Sequence, residues 1–446
     1  MSKRVKSATI DKKNTRTVQE MFMMEFTKQL SAFLEKSLTA YHAKDNVKAQ
    51  LLENGFTPLL PTQDWEICES GKYFVERGAS LIAFTVGQLD HFTYKIAAAH
   101  VDSPALKIKT NPEKKTENMI SLNVERYGGG LWYTFFDRPL KIAGQIVTNT
   151  DGKLQAKTTQ APFLVTIPSQ ALHINREAND HFAVNLQTDA LPLYALNDGN
   201  LIETAFAGEN VVAYDLFAVN AEKPYVFGAN GEFFASPRLD NLTSVYASLQ
   251  GLLSAKTDKG VCVAAFFHNE EIGSQTLQGA GGDFLEKTLR KIAFALRFDD
   301  NEYDKALASS FFLSVDNAHA LHPNHPEKSD PTNKTKLGGG VVIKSHAGGA
   351  YVTDSLTLAT VKTVFENAGV PYQYFFNRSD AKSGSTLGVS ALTRLGVYGA
   401  DIGLAQLAMH SACECFAIDD FQALLDGLTA FYSSDYFAEN GVVTIE

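Results

Sequence analysis

The chain has 446 residues, a formal net charge of −10, 45% hydrophobic and 20% charged residues. These proportions exclude wholesale disorder, and the length calls for two or three domains or one large enzyme domain with an insertion. The negative balance leaves no electrostatic footprint for nucleic acid or an anionic membrane, and suits cationic groups such as peptide N-terminal amines.

Met1–Ser7 is basic but runs into Asp11-Lys12-Lys13 with no apolar stretch between, so no secretory signal is expected. Residues 19–41 repeat apolar side chains at helical spacing (Phe22, Phe26, Leu30, Phe33, Leu34, Leu38), which predicts an amphipathic helix. A second helix is expected from Asp45-Asn46 to Gly55, capped at one end and closed by glycine at the other. Strands come next at Ser80–Val86 and Lys95–His100, the latter apolar nearly throughout, as a strand covered on both faces would be. From 104 to 235 the texture turns to short strand-like runs, such as 142–148 and 163–167, with hairpin turns at Asp151-Gly152 and Asn230-Gly231. After Ser236-Pro237 an α/β alternation returns: helix 241–254, strand 261–267, helix 283–297, strands 311–315 and 341–344, helix 355–368, strand 372–376 and helix 419–431. The expected fold is an α/β catalytic domain with a mostly parallel central sheet, built from 1–103 and 236–446 and interrupted by an inserted β-rich domain at 104–235. The apolar runs are strand-sized, far short of the ~18–20 residues of a membrane span. Cys68, Cys262, Cys413 and Cys415 form no C-x-x-C pair and read as free thiols of a reducing compartment, so a soluble, cytoplasmic protein is expected.

Five short clusters fall at the carboxyl ends of expected strands or beside helix starts, where open α/β sheets place their ligands. They are His100-Val101-Asp102, Arg238-Leu239-Asp240-Asn241, His268-Asn269-Glu270-Glu271, Asp316-Asn317-Ala318-His319 and Met409-His410-Ser411. Singly each has an ordinary reading: a surface hydrogen bond for His-x-Asp, a helix N-cap for Asp240, a solvated helix end for the paired glutamates, a core histidine for His410. Together they supply two imidazoles and a set of carboxylates, the donor chemistry of a two-metal hydrolytic site. One carboxylate can bridge, and another is left to act as general base. Glu270 and Glu271 are adjacent, so one can bind metal while the other reaches water. Asp102 is placed to accept the remaining imidazole N–H of His100. His319, His322 and His325 form a dense cluster, but Pro323 breaks any helix there. The glycine runs 128–130, 279–282 and 338–340 lack the arrangement of a phosphate cradle and read as tight turns or close backbone approaches.

These clusters resemble the aspartyl aminopeptidase / aminopeptidase I family of zinc metallopeptidases. The resemblance extends, in order, through His100–Pro104, Tyr127–Trp132, Phe136-Asp137-Arg138, Arg238–Asn241, Asn269–Ser274, Asp316–Asn324 and Ala408–Ser411. It implies an aminopeptidase that takes peptides with a free N-terminus and uses two divalent ions, zinc in the family. It assigns His100, Asp240, Glu271, Asp316 and His410 as metal ligands, with Asp240 as the bridge. His100 pairs with Asp316 on one ion, and Glu271 with His410 on the other. Glu270 matches the general base and Asp102 the carboxylate behind the first histidine. His173, in Ile167–His173, matches a histidine that reaches into a neighbouring subunit's site; without the resemblance it is an ordinary strand histidine. Lys344 matches a lysine facing an acidic substrate side chain. The stretch after it, Gly348–Thr353, lacks the family's usual arginine and amide, which leaves an acidic (Asp/Glu) preference open. Lys382 either replaces that lost charge or is a solvated loop lysine. The resemblance further implies a dimer and assembly toward a tetrahedral dodecamer, with the inserted domain covering the site and crossing the dimer contact. A related two-metal amidohydrolase, a deacylase or carboxypeptidase, shares the His-x-Asp and Glu-Glu logic.

Overall fold

The computed structural model describes residues 25–90, 92–439 and 441–445. The start of the first expected helix, 19–24, lies outside them. Where described, that helix runs over 25–36 and stops short of 41. The reason is local: Ser37 Oγ and Asn46 Nδ2 both donate to the Phe33 carbonyl, at 2.8 and 3.0 Å, competing for an acceptor near the helix end. The next helix, Ala40–Glu53, therefore starts five residues before Asp45. It ends as expected, with Gly55 at φ +79 just beyond it.

The centre is a nine-stranded sheet. Its spatial order is Thr57–Leu59, Lys72–Arg77, Ser80–Val86, Val261–Phe267, Tyr94–His100, Phe311–Val315, Tyr398–Gly403, Val341–Lys344, Tyr372–Phe375. The sheet is mixed. Four consecutive strands in the middle, from Val261–Phe267 to Tyr398–Gly403, are parallel, while Ser80–Val86 and Val341–Lys344 flank them antiparallel. Every residue of Val261–Phe267 and Tyr94–His100 is buried. Alternate side chains divide between two cores. Cys262, Ala264, Phe266, Ala97 and Ala99 pack on one face with the helices Leu239–Ser254, Ser355–Ala368 and Ile418–Ser433. Val263, Ala265, Ile96 and Ala98 pack on the other with Phe284–Ala295, Asp300–Ala308 and Leu387–Leu395. Helices on both faces explain the continuous apolar runs.

A separate antiparallel sheet of six strands is drawn entirely from 105–220, with its own core of Leu106, Ile108, Leu122, Ile142 and Leu216. Its long hairpin turns at Asp151-Gly152, where both residues have positive φ, 50 and 81. That is the backbone a two-residue turn between right-twisted strands requires. The second expected hairpin, Tyr225–Phe227 with Phe233–Ser236, joins a small sheet with Glu414–Ala417, Ala405–Leu407 and Ala318–His319 instead. That small sheet stands beside the carboxyl ends of the parallel strands. Among the described residues no helix is long and apolar enough to cross a membrane.

Candidate metal centre

Parallel strands all point their carboxyl ends the same way, so the segment leaving each strand meets the segments leaving its neighbours. His100 ends one central strand, Asp316 comes directly after the next, and Glu270-Glu271 form a short turn after a third. Asp240 opens the helix Leu239–Ser254, and His410 comes from the bend before Glu414–Ala417. The backbone is held in the left-handed region at Arg238, Asn269 and His410, with φ of 61, 67 and 66. Such non-glycine residues cluster at functional sites, where surrounding structure enforces them.

His100 Nε2 lies 3.4 Å from Asp240 Oδ1, 3.6 Å from Asp316 Oδ1 and 3.9 Å from Glu270 Oε2. His410 Nε2 lies 3.2 Å from Asp240 Oδ2 and 3.5 Å from Glu271 Oε1. Each oxygen of Asp240 thus faces a different histidine. Three groups of possible ligand atoms result among the described residues: His100–Glu270–Glu271, and the two that share Asp240, His100–Asp240–Asp316 and Asp240–Glu271–His410. Bonds of 2.0–2.1 Å to a tetrahedral ion would set ligand atoms about 3.3–3.4 Å apart, so the spacing suits a cation at the centre of each group that shares Asp240. Asp240 Oδ1 and Glu271 Oε1 are buried with no hydrogen-bond partner, a cost that a cation removes.

The electrostatics carry the same message. Burial lowers the proton affinity of the His410 imidazole, but Asp240 and Glu271 outweigh it and hold its pKa up at about 10. His100, buried more deeply, is likewise raised well above the usual histidine range by Asp240 and Asp316 despite desolvation. Burial pushes Glu270 up to about 8, with Asp316, Asp102 and Asp240 adding to it against His100. Too many carboxylates share too little solvent, and the cluster takes up protons where it lacks another source of positive charge.

The outer contacts are specific. His100 Nδ1 is 2.9 Å from the main-chain carbonyl of Asp102 but 3.7 Å from its carboxylate. The expectation that the Asp102 carboxylate accepts that N–H is therefore corrected. The carboxylate instead accepts the backbone N–H groups of Glu270 and Glu271, each at 3.2 Å, and the Tyr127 hydroxyl at 2.7 Å. The physical reason is that a buried carboxylate beside a strand end is better satisfied by the N–H groups of the facing turn. Glu414 escapes the sequence reading. It is buried, and its two oxygens accept from His410 N at 2.6 Å and Asp240 N at 2.9 Å. Its only signal is an acid placed four residues after His410, at the start of an otherwise apolar strand.

Lys344 is 1% exposed, with Nζ 3.2 Å from the Asn317 carbonyl and 3.5 Å from Asp316 Oδ2. Its ammonium stands behind a ligand-type carboxylate. Lys382 is exposed and lines a cavity of about 500 Å³ that also involves His319, Lys328, Arg378 and Ala408. His322 and His325 line the same cavity, and neither belongs to a metal-type group among the described residues. His173 is exposed on an irregular segment between the strands Lys153–Val165 and Leu193–Leu196, and no described contact links it to the cluster. Exposed apolar side chains flank it, Leu172 at 55% and Ile174 at 80%.

The family model described as aminopeptidase I zinc metalloprotease (M18) matches residues 33–432. The chain belongs to that family. A probable M18 family aminopeptidase 2 of Clostridium acetobutylicum is 40% identical over 429 residues, covering 92% of this chain and 99% of the relative. Ape4, in its complex with Nbr1, superposes with a TM-score of 0.87 at 30% identity, over 92% of this chain and 86% of Ape4. The mApe1 dodecamer of S. cerevisiae shares the fold, with a TM-score of 0.77 and 23% identity over 91% of this chain and 96% of that one. This M18 protein is a metallo-aminopeptidase, a peptide hydrolase that works with a bound metal. Its α/β architecture with mixed sheets is that of the family's solved structures.

Proposed function

We propose that this aminopeptidase uses two zinc ions bridged by Asp240, one held with His100 and Asp316 and the other with Glu271 and His410. The observation that carries the reading is the Asp240 carboxylate, buried with one oxygen turned to each histidine at 3.4 and 3.2 Å. When bound, the ions supply the Lewis acidity that polarises the scissile carbonyl and acidifies water. Glu270 is the general base. Its carboxylate accepts a proton from water at Oε2 and returns it to the leaving amine. Burial raises Glu270 to about 8, and cations alongside would lower it, favouring the ionised carboxylate that accepts the proton. Asp102 holds the turn that aims Glu270 and Glu271. His173 of a second copy donates to the developing oxyanion; the exposed apolar flanks of its segment support burial there against another chain.

The chain divides into 1–103 and 236–446, which form the catalytic body, and 104–235, which forms a lid and dimerisation domain. The separate sheet and core drawn from 105–220 support the division. Substrates are peptides with a free N-terminus; Lys382 bears on an acidic first residue from the open cavity, while the buried Lys344 acts through Asp316 on every substrate. Dimers assemble toward a dodecamer in the cytoplasm.

The test is a panel of aminoacyl substrates with their N-acetylated counterparts, run beside metal analysis. Free-amine substrates should turn over, acetylated ones should be inert, and chelation should abolish turnover until zinc is returned. Full turnover by protein shown to carry no transition metal overturns the reading.

A further inference from the structure

The segment Tyr127–Leu131, where the inserted sheet returns to the catalytic body, touches the cluster at four points. The Tyr127 hydroxyl donates to Asp102 Oδ2 at 2.7 Å and accepts from Asn269 Nδ2 at 2.9 Å, so it braces the turn carrying Glu270 and Glu271 from both sides. Gly128 has φ +75, and a Cβ there would lie 3.0 Å from Glu271 Cβ and 3.1 Å from Glu271 Oε2. The Gly129 carbonyl accepts from His410 Nδ1 at 2.9 Å. The Leu131 N–H donates to the His410 carbonyl at 2.8 Å.

These contacts fall on one side of the cluster. Glu271 and His410 are packed or hydrogen-bonded directly by the segment. No described contact of the segment reaches His100 or Asp316 directly; its nearest link is the Tyr127 bond to the Asp102 carboxylate, whose residue holds His100 by its main-chain carbonyl. His100 Nδ1 is fixed by the Asp102 carbonyl at 2.9 Å, and Asp316 by its N–H on Ile402 O at 2.8 Å and by Lys344.

We propose that Tyr127–Leu131 is the positioning segment of the Glu271–His410 metal site alone, so that the inserted domain sets the affinity of one ion while the catalytic body sets that of the other. The inference rests on the two-metal reading. Groups behind metal ligands fix ring orientation and carboxylate direction, and their loss typically weakens binding about 10–100-fold. The glycines serve close approach: at Gly128 any side chain meets Glu271, and the left-handed backbone adds strain of its own.

The experiment titrates metal-free protein with zinc by calorimetry and measures zinc retained after dialysis, which needs no turnover. Wild type should show two binding events per chain. Tyr127→Phe should weaken one of them by about 10-fold and Gly128→Ala by about 100-fold, with the other unchanged. Gly152→Ala carries the same kind of backbone strain, at φ +81 in the remote hairpin with nothing within 4 Å of the added carbon. It should lower Tm and leave both affinities as in wild type. Circular dichroism reports folding in each case, and Tyr127→Phe, which only removes a hydroxyl, decides the matter if Gly128→Ala does not fold. Wild-type zinc affinity at both sites in folded Tyr127→Phe, or parallel weakening of both sites, overturns the proposal. A wild-type chain that binds fewer than two ions overturns the two-metal reading itself, a failure seen before any substitution is made.

Discussion

Lys344 offers the sharpest perturbation, because two readings of it predict different kinetics. The ammonium is buried, 3.2 Å from the Asn317 carbonyl and 3.5 Å from Asp316 Oδ2, and 5.1 Å from the centroid of the Tyr351 ring. Lys344→Met keeps most of the volume and removes the charge. The Asn317 carbonyl loses a buried donor, at a cost of about 1–3 kcal/mol. Asp316 loses its cation on the side away from the metal, and removing one partner of a buried ion pair costs about 3–5 kcal/mol in stability. On the metal, loss of a group behind a ligand weakens affinity or activity by about 10–100-fold, or about 1.4–2.8 kcal/mol. If Lys344 acts through Asp316, that loss is shared by every substrate. The assay compares kcat/KM for Asp, Glu, Leu and Met substrates on wild type, Lys344→Met and Lys382→Ala, at limiting and at saturating zinc. The expected result is an equal fall across substrates for Lys344→Met, partly restored by excess zinc. Lys382→Ala, which removes a charge from the open cavity, should change only the acidic substrates. A loss of a decade or more on Asp and Glu with Leu and Met untouched in Lys344→Met would refute this reasoning and make the buried ammonium a direct reader of the substrate.

Glu270→Gln should lose about 10²–10⁴-fold in kcat while retaining its metal, whereas Glu271→Gln should lose metal occupancy; a metal-replete, fully active Glu270→Gln protein removes the base assignment. Mixed dimers of His173→Ala and Glu270→Gln chains should regain part of the activity that each lacks alone, and verified mixed dimers without recovery confine His173 to its own chain or to no catalytic part. Burial lowers His42 to about 4, with Arg238 aiding and Asp45 opposing. The unfolded chain therefore binds that proton more readily. The stability contributed is complete above about pH 6.5 and is lost as pH falls toward 4, by at most about 3 kcal/mol. His42→Gln should flatten the fall in Tm between pH 6.5 and 4.5, and an unchanged slope would mean other groups carry it.

Much of the fold could be read without a structure because burial on two faces leaves a linear record. Val261–Phe267 and Lys95–His100 are apolar at every position or nearly so, and both are central strands. Tyr398–Gly403 is equally central but escapes the pattern, since it carries two glycines and Asp401. An acid inside a sheet is tolerable only because distant residues satisfy it. Thr386 Oγ1 and the Val352 N–H both donate to Asp401 at 2.6 Å, and Lys344 lies across the antiparallel pair. Nothing within its own strand announces those partners.

The candidate metal cluster divides in the same way. Donor chemistry is a property of residue types, so His100, Asp240, Glu270, Glu271, Asp316 and His410 could be named from their strand-end positions and family order. Which atom meets which is a property of the fold. Tertiary structure alone turned the two oxygens of Asp240 toward different histidines and gave His100 the Asp102 carbonyl in place of the carboxylate. It also brought Glu414 and Tyr127 behind the cluster and drew Lys344 inward to Asp316. Each of these is a long-range contact between segments that share no local pattern. Periodicity records which face of an element is buried, and not which neighbour buries it.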